Sequence, residues 1–128
     1  VGLIDLADTQ LHKIAEEISG VALPADVSSE TEVEKAFRDF CGPSHYPLRI
    51  VVQCAGIAPA SRMTSKDGPK PLSFFEKVVS VNLLGTYNVM RVAAFHLSQQ
   101  ALDGEQRGVI INTASIAAFE GQVGQTAY

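Results

Sequence analysis

Three side chains in this 128-residue chain could manage a proton at a substrate oxygen: Ser115, Tyr128 and Asn82. Ser115 follows Val109-Ile110-Ile111-Asn112-Thr113, a run that begins as a buried strand and turns polar at Asn112. Tyr128 lies 13 positions further on (128 − 115). A hydroxyl at the end of a strand and a phenol at the start of the next element would lie side by side over the carboxyl edge of an open α/β sheet, where such sheets bind ligands. Such a pair could hold an alcohol or carbonyl oxygen between two hydroxyls. Tyrosine is a weak acid, with a reference pKa of about 10, and lowering it by about three units takes roughly 4 kcal/mol of differential stabilisation. That asks for a neighbouring cation, and Arg107, ahead of the strand, is not an obvious local donor. On spacing alone, a turn serine and a core tyrosine are the plainer reading of the pair.

Asn82 lies between Val81 and Leu83-Leu84 in a helical stretch, where asparagine is a mediocre former and a buried amide needs partners. It is either a structural amide satisfied by backbone or a group that positions a water and a cation. Asp5, directly after an apolar run, could accept hydrogen bonds from the ribose hydroxyls of a dinucleotide. It would also repel a 2′-phosphate, a like-charge contact that at about 4 Å costs roughly 4 kcal/mol at an effective dielectric near 20. Asp5 therefore favours NAD over NADP. A helix-capping or turn aspartate is the plainer reading of the same residue.

Other chemistries find little support. His12, His45 and His96 are isolated, and no cluster has metal-ligand spacing, so no metal is expected. Ser115 lacks both a GxSxG setting and a local histidine. Gly121-Gln122-Val123-Gly124 lacks the Gly-Lys-Ser/Thr ending of a phosphate loop and reads as a loop bending over a pocket. Cys41 and Cys54 fit no CxxC or zinc pattern, and a reduced intracellular protein is the simplest expectation. A net charge of −4 without a Lys/Arg cluster offers no basic face for nucleic acid. No run of about 18 consecutive apolar residues suggests a membrane span.

The elements that must position these groups alternate. Val1 to Ile4 reads as a strand. Asp8 or Thr9 caps a helix with Leu11, Ile14, Ala15 and Ile18 on one face, closed by Gly20 as a left-handed cap. Val21 to Leu23 is a strand ended by Pro24, followed by Asp26 and Val27. Ser29 and Glu32 fit a capping box for a helix with Val33, Ala36, Phe37 and Phe40 inward, broken at Gly42-Pro43. Leu48 to Val52 is a strand running into Gln53-Cys54-Ala55-Gly56. Ala58 to Pro71 reads as a long surface loop. Ser73 with Glu76 boxes a long helix to about Gln99, with Val78, Val79, Leu83, Met90 and Ala94 suggesting burial on more than one side. Asp103-Gly104 is a turn. Short apolar strands alternating with one-sided helices predict a single α/β domain over residues 1–128, a doubly wound parallel sheet. The abrupt ends read as an excerpt of something longer.

Taken together, Asp5, Asp26-Val27, Cys54-Ala55-Gly56, Val81 to Thr86, Ile111 to Ser115 and Tyr128 resemble the short-chain dehydrogenase/reductase family, in order along the whole chain. Cys54 to Ala58 and Gly108 to Tyr128, especially Ala117 to Gln125, are most similar to its 3-hydroxyacyl-CoA dehydrogenase type-2 branch. The resemblance implies a Rossmann-like fold, incomplete at both ends, and an NAD-dependent oxidoreductase acting on a secondary alcohol such as a 3-hydroxyacyl-CoA, with a hydroxysteroid second. It implies Ser115 orienting the substrate oxygen, Tyr128 as general acid/base and Asn82 supporting a water-linked relay. Asp5 would bind the ribose and Asp26-Val27 flank the adenine. Cys54, Ala55, Gly56 and Thr113 would line the cofactor crevice, with Gln122 near the acyl chain. It further implies a homo-oligomer, a dimer or tetramer, in the cytoplasm of a bacterium or the mitochondrial matrix of a eukaryote. The family's TGxxxGxG turn and its lysine four positions past the tyrosine do not occur in these residues, and NNAG reads Gln53-Cys54-Ala55-Gly56. This polypeptide alone is therefore expected to give no NADH from NAD and a 3-hydroxyacyl-CoA. The alternatives are a non-catalytic α/β module binding a nucleotide or a partner, and an NADPH-dependent reductase, against which Asp5 counts.

Overall fold

The computed structural model describes residues 1–42 and 47–128, so Pro43 and His45 lie outside the described residues. Among the described residues the strands are β1 (Gly2–Asp5), β2 (Val21–Pro24), β3 (Ile50–Gln53), β4 (Thr64–Ser65), β5 (Gly68–Pro69) and β6 (Val109–Asn112). The helices are α1 (Thr9–Glu17), α2 (Glu30–Phe40), α3 (Leu72–Val79) and α4 (Thr86–Ser98), the last two joined by a π-helical turn over Ser80–Gly85. A short 3-10 helix spans Ile116–Ala118.

The pairings are parallel where the alternation of apolar strands and helices predicts them. β1 pairs with β2, with Gly2 opposite Val21 and Asp5 opposite Pro24. β3 pairs with β6, with Ile50 opposite Val109 and Gln53 opposite Asn112. Among the described residues no strand hydrogen-bonds the first pair to the second. They are unified by a helical layer instead. Val33 and Phe37 of α2, Val89, Val92, Ala93 and Leu97 of α4, and Leu48 form one core, against which Ile4, Val51 and Ile110 pack from both strand pairs. Because strand side chains alternate between faces, Ile50, Val52, Val109 and Ile111 point to the opposite face, which is open to solvent. The architecture is that of a Rossmann-like α/β layer.

Helix boundaries depart from expectation where side chains found other partners. Asp8 does cap α1, accepting from the Leu11 amide at 2.8 Å. At its far end the left-handed residue is Ser19, with φ 53°, not Gly20. The Ser19 amide bonds the Glu16 carbonyl and the Gly20 amide bonds that of Ala15, at 3.1 and 2.7 Å, so a Schellman cap forms with glycine one place later than expected. Of the proposed inner face only Leu11 and Ala15 are buried, while Ile14 and Ile18 are exposed. Ser29 precedes α2 but its hydroxyl lies by Thr31. Glu32 bonds the Asp26 amide rather than closing a capping box. Pro71, not Ser73, precedes α3, consistent with proline's fixed φ at helix starts. The loop from Ala58 to Pro71 holds the antiparallel hairpin β4–β5.

Though interrupted by polar and charged residues, the run Leu72–Ser98 is long and apolar enough, by length and composition, to cross a membrane. Its inner stripe is nevertheless core: Asn88, Val89, Val92, Ala93 and Leu97 are buried against the rest of the chain. Leu83 and Ala94, expected inside, are exposed, so burial follows one stripe rather than several sides.

Candidate functional site

Parallel register brings the carboxyl ends of paired strands together: Asp5 stands opposite Pro24, and Gln53 opposite Asn112. At the end of the first pair, the Ala25 amide bonds the Asp5 carbonyl at 2.8 Å, placing the start of the Asp26 loop beside Asp5. The exposed Asp5 carboxylate uses Oδ1 on the Leu6 amide at 2.7 Å. Asp26 Oδ1 accepts both the Ser28 hydroxyl and amide, at 2.6 and 2.9 Å. These bonds, the hydroxyl's first, hold its pKa below the ordinary carboxylate value, with Lys77 adding a smaller attraction. Among the described residues, neither Asp5 Oδ2 nor Asp26 Oδ2 has a hydrogen-bond partner. Each aspartate thus keeps an oxygen able to accept from ligand hydroxyl or amino donors.

At the end of the second pair, Gln53 Nε2 donates to Asn112 Oδ1 at 2.6 Å. The Thr113 amide and hydroxyl both donate to the Gln53 carbonyl, at 3.1 and 2.7 Å. The Thr113 hydroxyl also lies 3.8 Å from the Cys54 sulfur. Cys54, Ala55 and Gly56 follow as an exposed segment. The next residue, Ile57, is seized by the helix: Asn82 Oδ1 accepts its amide and Asn82 Nδ2 donates to its carbonyl, both at 2.8 Å. Both polar atoms of the Asn82 amide are thus bonded to backbone. The π-helical turn that carries it widens the helix locally, a feature frequent at functional sites.

Ser115 has extended geometry and caps the 3-10 helix, its hydroxyl accepting from the Ala117 amide at 3.2 Å. Tyr128 is 42% exposed, not a core tyrosine. No hydrogen bond joins Ser115 and Tyr128 among the described residues. Gln122 is exposed, its carbonyl accepting from the Gln125 amide at 3.1 Å. A cavity of about 580 Å³ lies elsewhere, lined by Ser61, Arg62 and Thr64 to Pro71 around the hairpin. It is open, and none of Ser115, Tyr128 and Asn82 lines it. No group of His, Cys, Asp and Glu suited to a metal occurs among the described residues.

Sequence reasoning passed over Asn88 and Arg91. Asn88 Nδ2 donates to the carbonyls of Val27 and Ser29 at 2.9 and 3.2 Å, and its Oδ1 accepts from Arg91 Nε at 3.0 Å. Arg91 also pairs with Glu34 and Glu30 at 3.0 and 3.1 Å. The signal that drew attention to Asn82, an amide inside an apolar helical stretch, was equally present at Asn88.

Two parallel strand pairs with polar residues at their carboxyl ends, and helices packed against both, define a class. A model of the short chain dehydrogenase family matches residues 1–128, and the chain belongs to that family. It is 45% identical to the 3-hydroxyacyl-CoA dehydrogenase type-2 of Bos taurus, over 98% of this chain and 50% of that protein. The Homo sapiens enzyme of the same name is also 45% identical, with the same coverage. A crystal structure of 3-hydroxyacyl-CoA dehydrogenase type-2 from Mycobacterium avium superposes with a TM-score of 0.88 at 33% identity, covering 99% of this chain and 51% of that one. A 3-oxoacyl-[acyl-carrier protein] reductase from Brucella melitensis, with bound NAD, gives 0.74 at 26% identity, covering 98% and 47%. The chain spans about half the length of the curated relatives it matches.

Proposed function

We propose that the protein carrying this chain is an NAD-dependent oxidoreductase that interconverts a secondary alcohol and a ketone, with 3-hydroxyacyl-CoA and 3-ketoacyl-CoA as the pair. The observation that carries the reading is 45% identity to enzymes named 3-hydroxyacyl-CoA dehydrogenase type-2 over 98% of the chain. Nicotinamide, when bound, supplies the hydride acceptor. The chain's own residues handle the proton and the placement. Tyr128 takes the alcohol proton while the Ser115 hydroxyl holds the same oxygen. Asn82 supports this transfer by bracing Ile57, and with it Cys54, Ala55 and Gly56, against the helix. Asp5 and Asp26 each offer one oxygen without a hydrogen-bond partner among the described residues, which suits ribose hydroxyls and an adenine amino group. Negative charge at Asp5 favours NAD over its 2′-phosphorylated form. Thr113 and Val27 line the crevice, and Gln122 faces the acyl chain. The helix leaves Leu83, Leu84, Tyr87 and Phe95 exposed, an apolar face suited to a second copy in a homo-oligomer.

The test is the whole protein assayed with NAD and 3-hydroxybutyryl-CoA, following NADH absorbance. Steady turnover is expected. Tyr128→Phe should lower kcat by about 10² to 10⁴, the usual worth of general acid–base help. Undiminished turnover by Tyr128→Phe, or a preference for NADP, would overturn the reading.

A further inference from the structure

We propose that Asn88 is a positioning residue for the adenosine half of the cofactor, acting through the segment Asp26 to Ser29; the inference rests on the NAD-binding role proposed above. Asn88 is only 8% exposed and sits on the inner stripe of α4 beside Val89 and Val92. An apolar side chain would pack there without desolvating an amide, and a buried amide is tolerated only when its hydrogen bonds are made. They are made, and to one place. Both donated bonds go to carbonyls flanking Ser28, those of Val27 and Ser29. Its oxygen is fixed by Arg91, which is itself held by Glu34 and Glu30 of α2.

The same segment is pinned from its other side. Asp26 Oδ1 is occupied by Ser28, and the Asp26 amide donates to Glu32 at 2.8 Å. One helical turn before Asn88, Gly85 lets Val27 approach: a Cβ there would fall 2.7 Å from Val27 Cγ2. Position 85 therefore sets the distance of Val27 from the helix, and Asn88 sets the orientation of its peptide. Together they aim Asp26 Oδ2, the carboxylate oxygen that Ser28 leaves unbonded. One donated bond holds the Val27–Ser28 peptide, and the other holds the Ser29 carbonyl, which also accepts the Val33 amide at the start of α2; Asn88 thus fixes the Asp26 loop relative to both helices.

The test is Asn88→Asp in the whole protein. The carboxylate keeps the size and the acceptor for Arg91, but it cannot donate to the two carbonyls. Losing two buried donated bonds should raise the KM for NAD about tenfold, while kcat and the KM for the hydroxyacyl substrate move less than about twofold. An NAD analogue with hypoxanthine in place of adenine should show a smaller rise. A role confined to stability would lower the melting temperature without this split. An unchanged KM for NAD, or a fall in kcat alone, would overturn the proposal. Should Asn88→Asp not fold, Arg91→Met frees Asn88 Oδ1 and keeps both donors; a rise of about threefold is expected, and none would overturn it. Calorimetric titration of the wild type separates the two readings. A wild type that does not bind NAD sinks the NAD reading and this inference with it. A wild type that binds NAD, with Asn88→Asp binding equally well, sinks this inference alone.

Discussion

The Ser61 amide donates to the Gly124 carbonyl at 2.7 Å. This single bond fastens the loop that precedes the hairpin to the loop that follows Ser115. Gly124 can present its carbonyl there because its φ is 80°, a region in which a Cβ costs about 1–2 kcal/mol. A methyl at this position would meet Ser61 N at 3.6 Å, ordinary contact, so strain rather than collision is the penalty. Gly124→Ala should therefore leave the fold intact and loosen the staple. The expected result is a melting temperature lowered by a few degrees together with a raised KM for the acyl substrate. Equal KM values in wild type and variant would show that the staple does not serve substrate.

Asn82 offers a different test, because its amide bonds both polar groups of a single peptide residue. Asn82→Ala strands the Ile57 amide and carbonyl, each half-buried. Leaving such groups unmade costs about 1–3 kcal/mol, readable as a shift in the denaturant midpoint. Since Ile57 ends the Cys54 segment, kcat should fall as well. Asn82→Asp keeps the acceptor for the Ile57 amide but faces its carbonyl with a second acceptor, so it should be no better than alanine. An Asn82→Asp variant with wild-type stability would contradict the clamp.

Asp5 predicts cofactor choice. Replacing it by serine keeps an acceptor and removes the charge, so discrimination between NAD and NADP should narrow by about tenfold, with the like-charge repulsion screened at this exposed site. The check is the ratio of kcat/KM values for the two cofactors. An unchanged ratio would mean that a residue other than Asp5 decides it.

Much of the fold was legible because period and polarity carry physical information. Val33, Ala36 and Phe37 lie inward as the helical spacing requires, and the apolar strands pair in parallel. What failed were choices between equivalent local donors and acceptors. Ser29 and Glu32 have the residue types of a capping box, yet Glu32 has the Asp26 amide within reach and takes it. Ile14 and Ile18 fit the stripe of α1 but remain exposed, since sequence does not say how wide a face its neighbours will cover. For Asn88 the residue type gave the need for partners but not their address, which lies about 60 positions away in sequence and exists only after α4 has packed on α2.

Acid should weaken the fold in two separable stages. The His96 ring stacks on Phe37 at 5.7 Å between centroids and meets Phe95 edge-on at 5.6 Å. Burial lowers its pKa from the ordinary value of 6.5. The unfolded chain then binds more protons than the folded one just below that value, so stability is full above about pH 6.5 and declines as pH falls towards the lowered folded value. Asp26 acts further down. Its bonds from Ser28 lower its pKa from the ordinary 3.8, so its contribution is present above that value and is lost as pH falls through the folded one. His96→Phe keeps an aromatic ring against Phe37 and removes the titrating group. Its melting temperature should be flat where that of the wild type declines just below pH 6.5, with the deeper acid loss retained. Parallel profiles for variant and wild type would place the titration on a group other than His96.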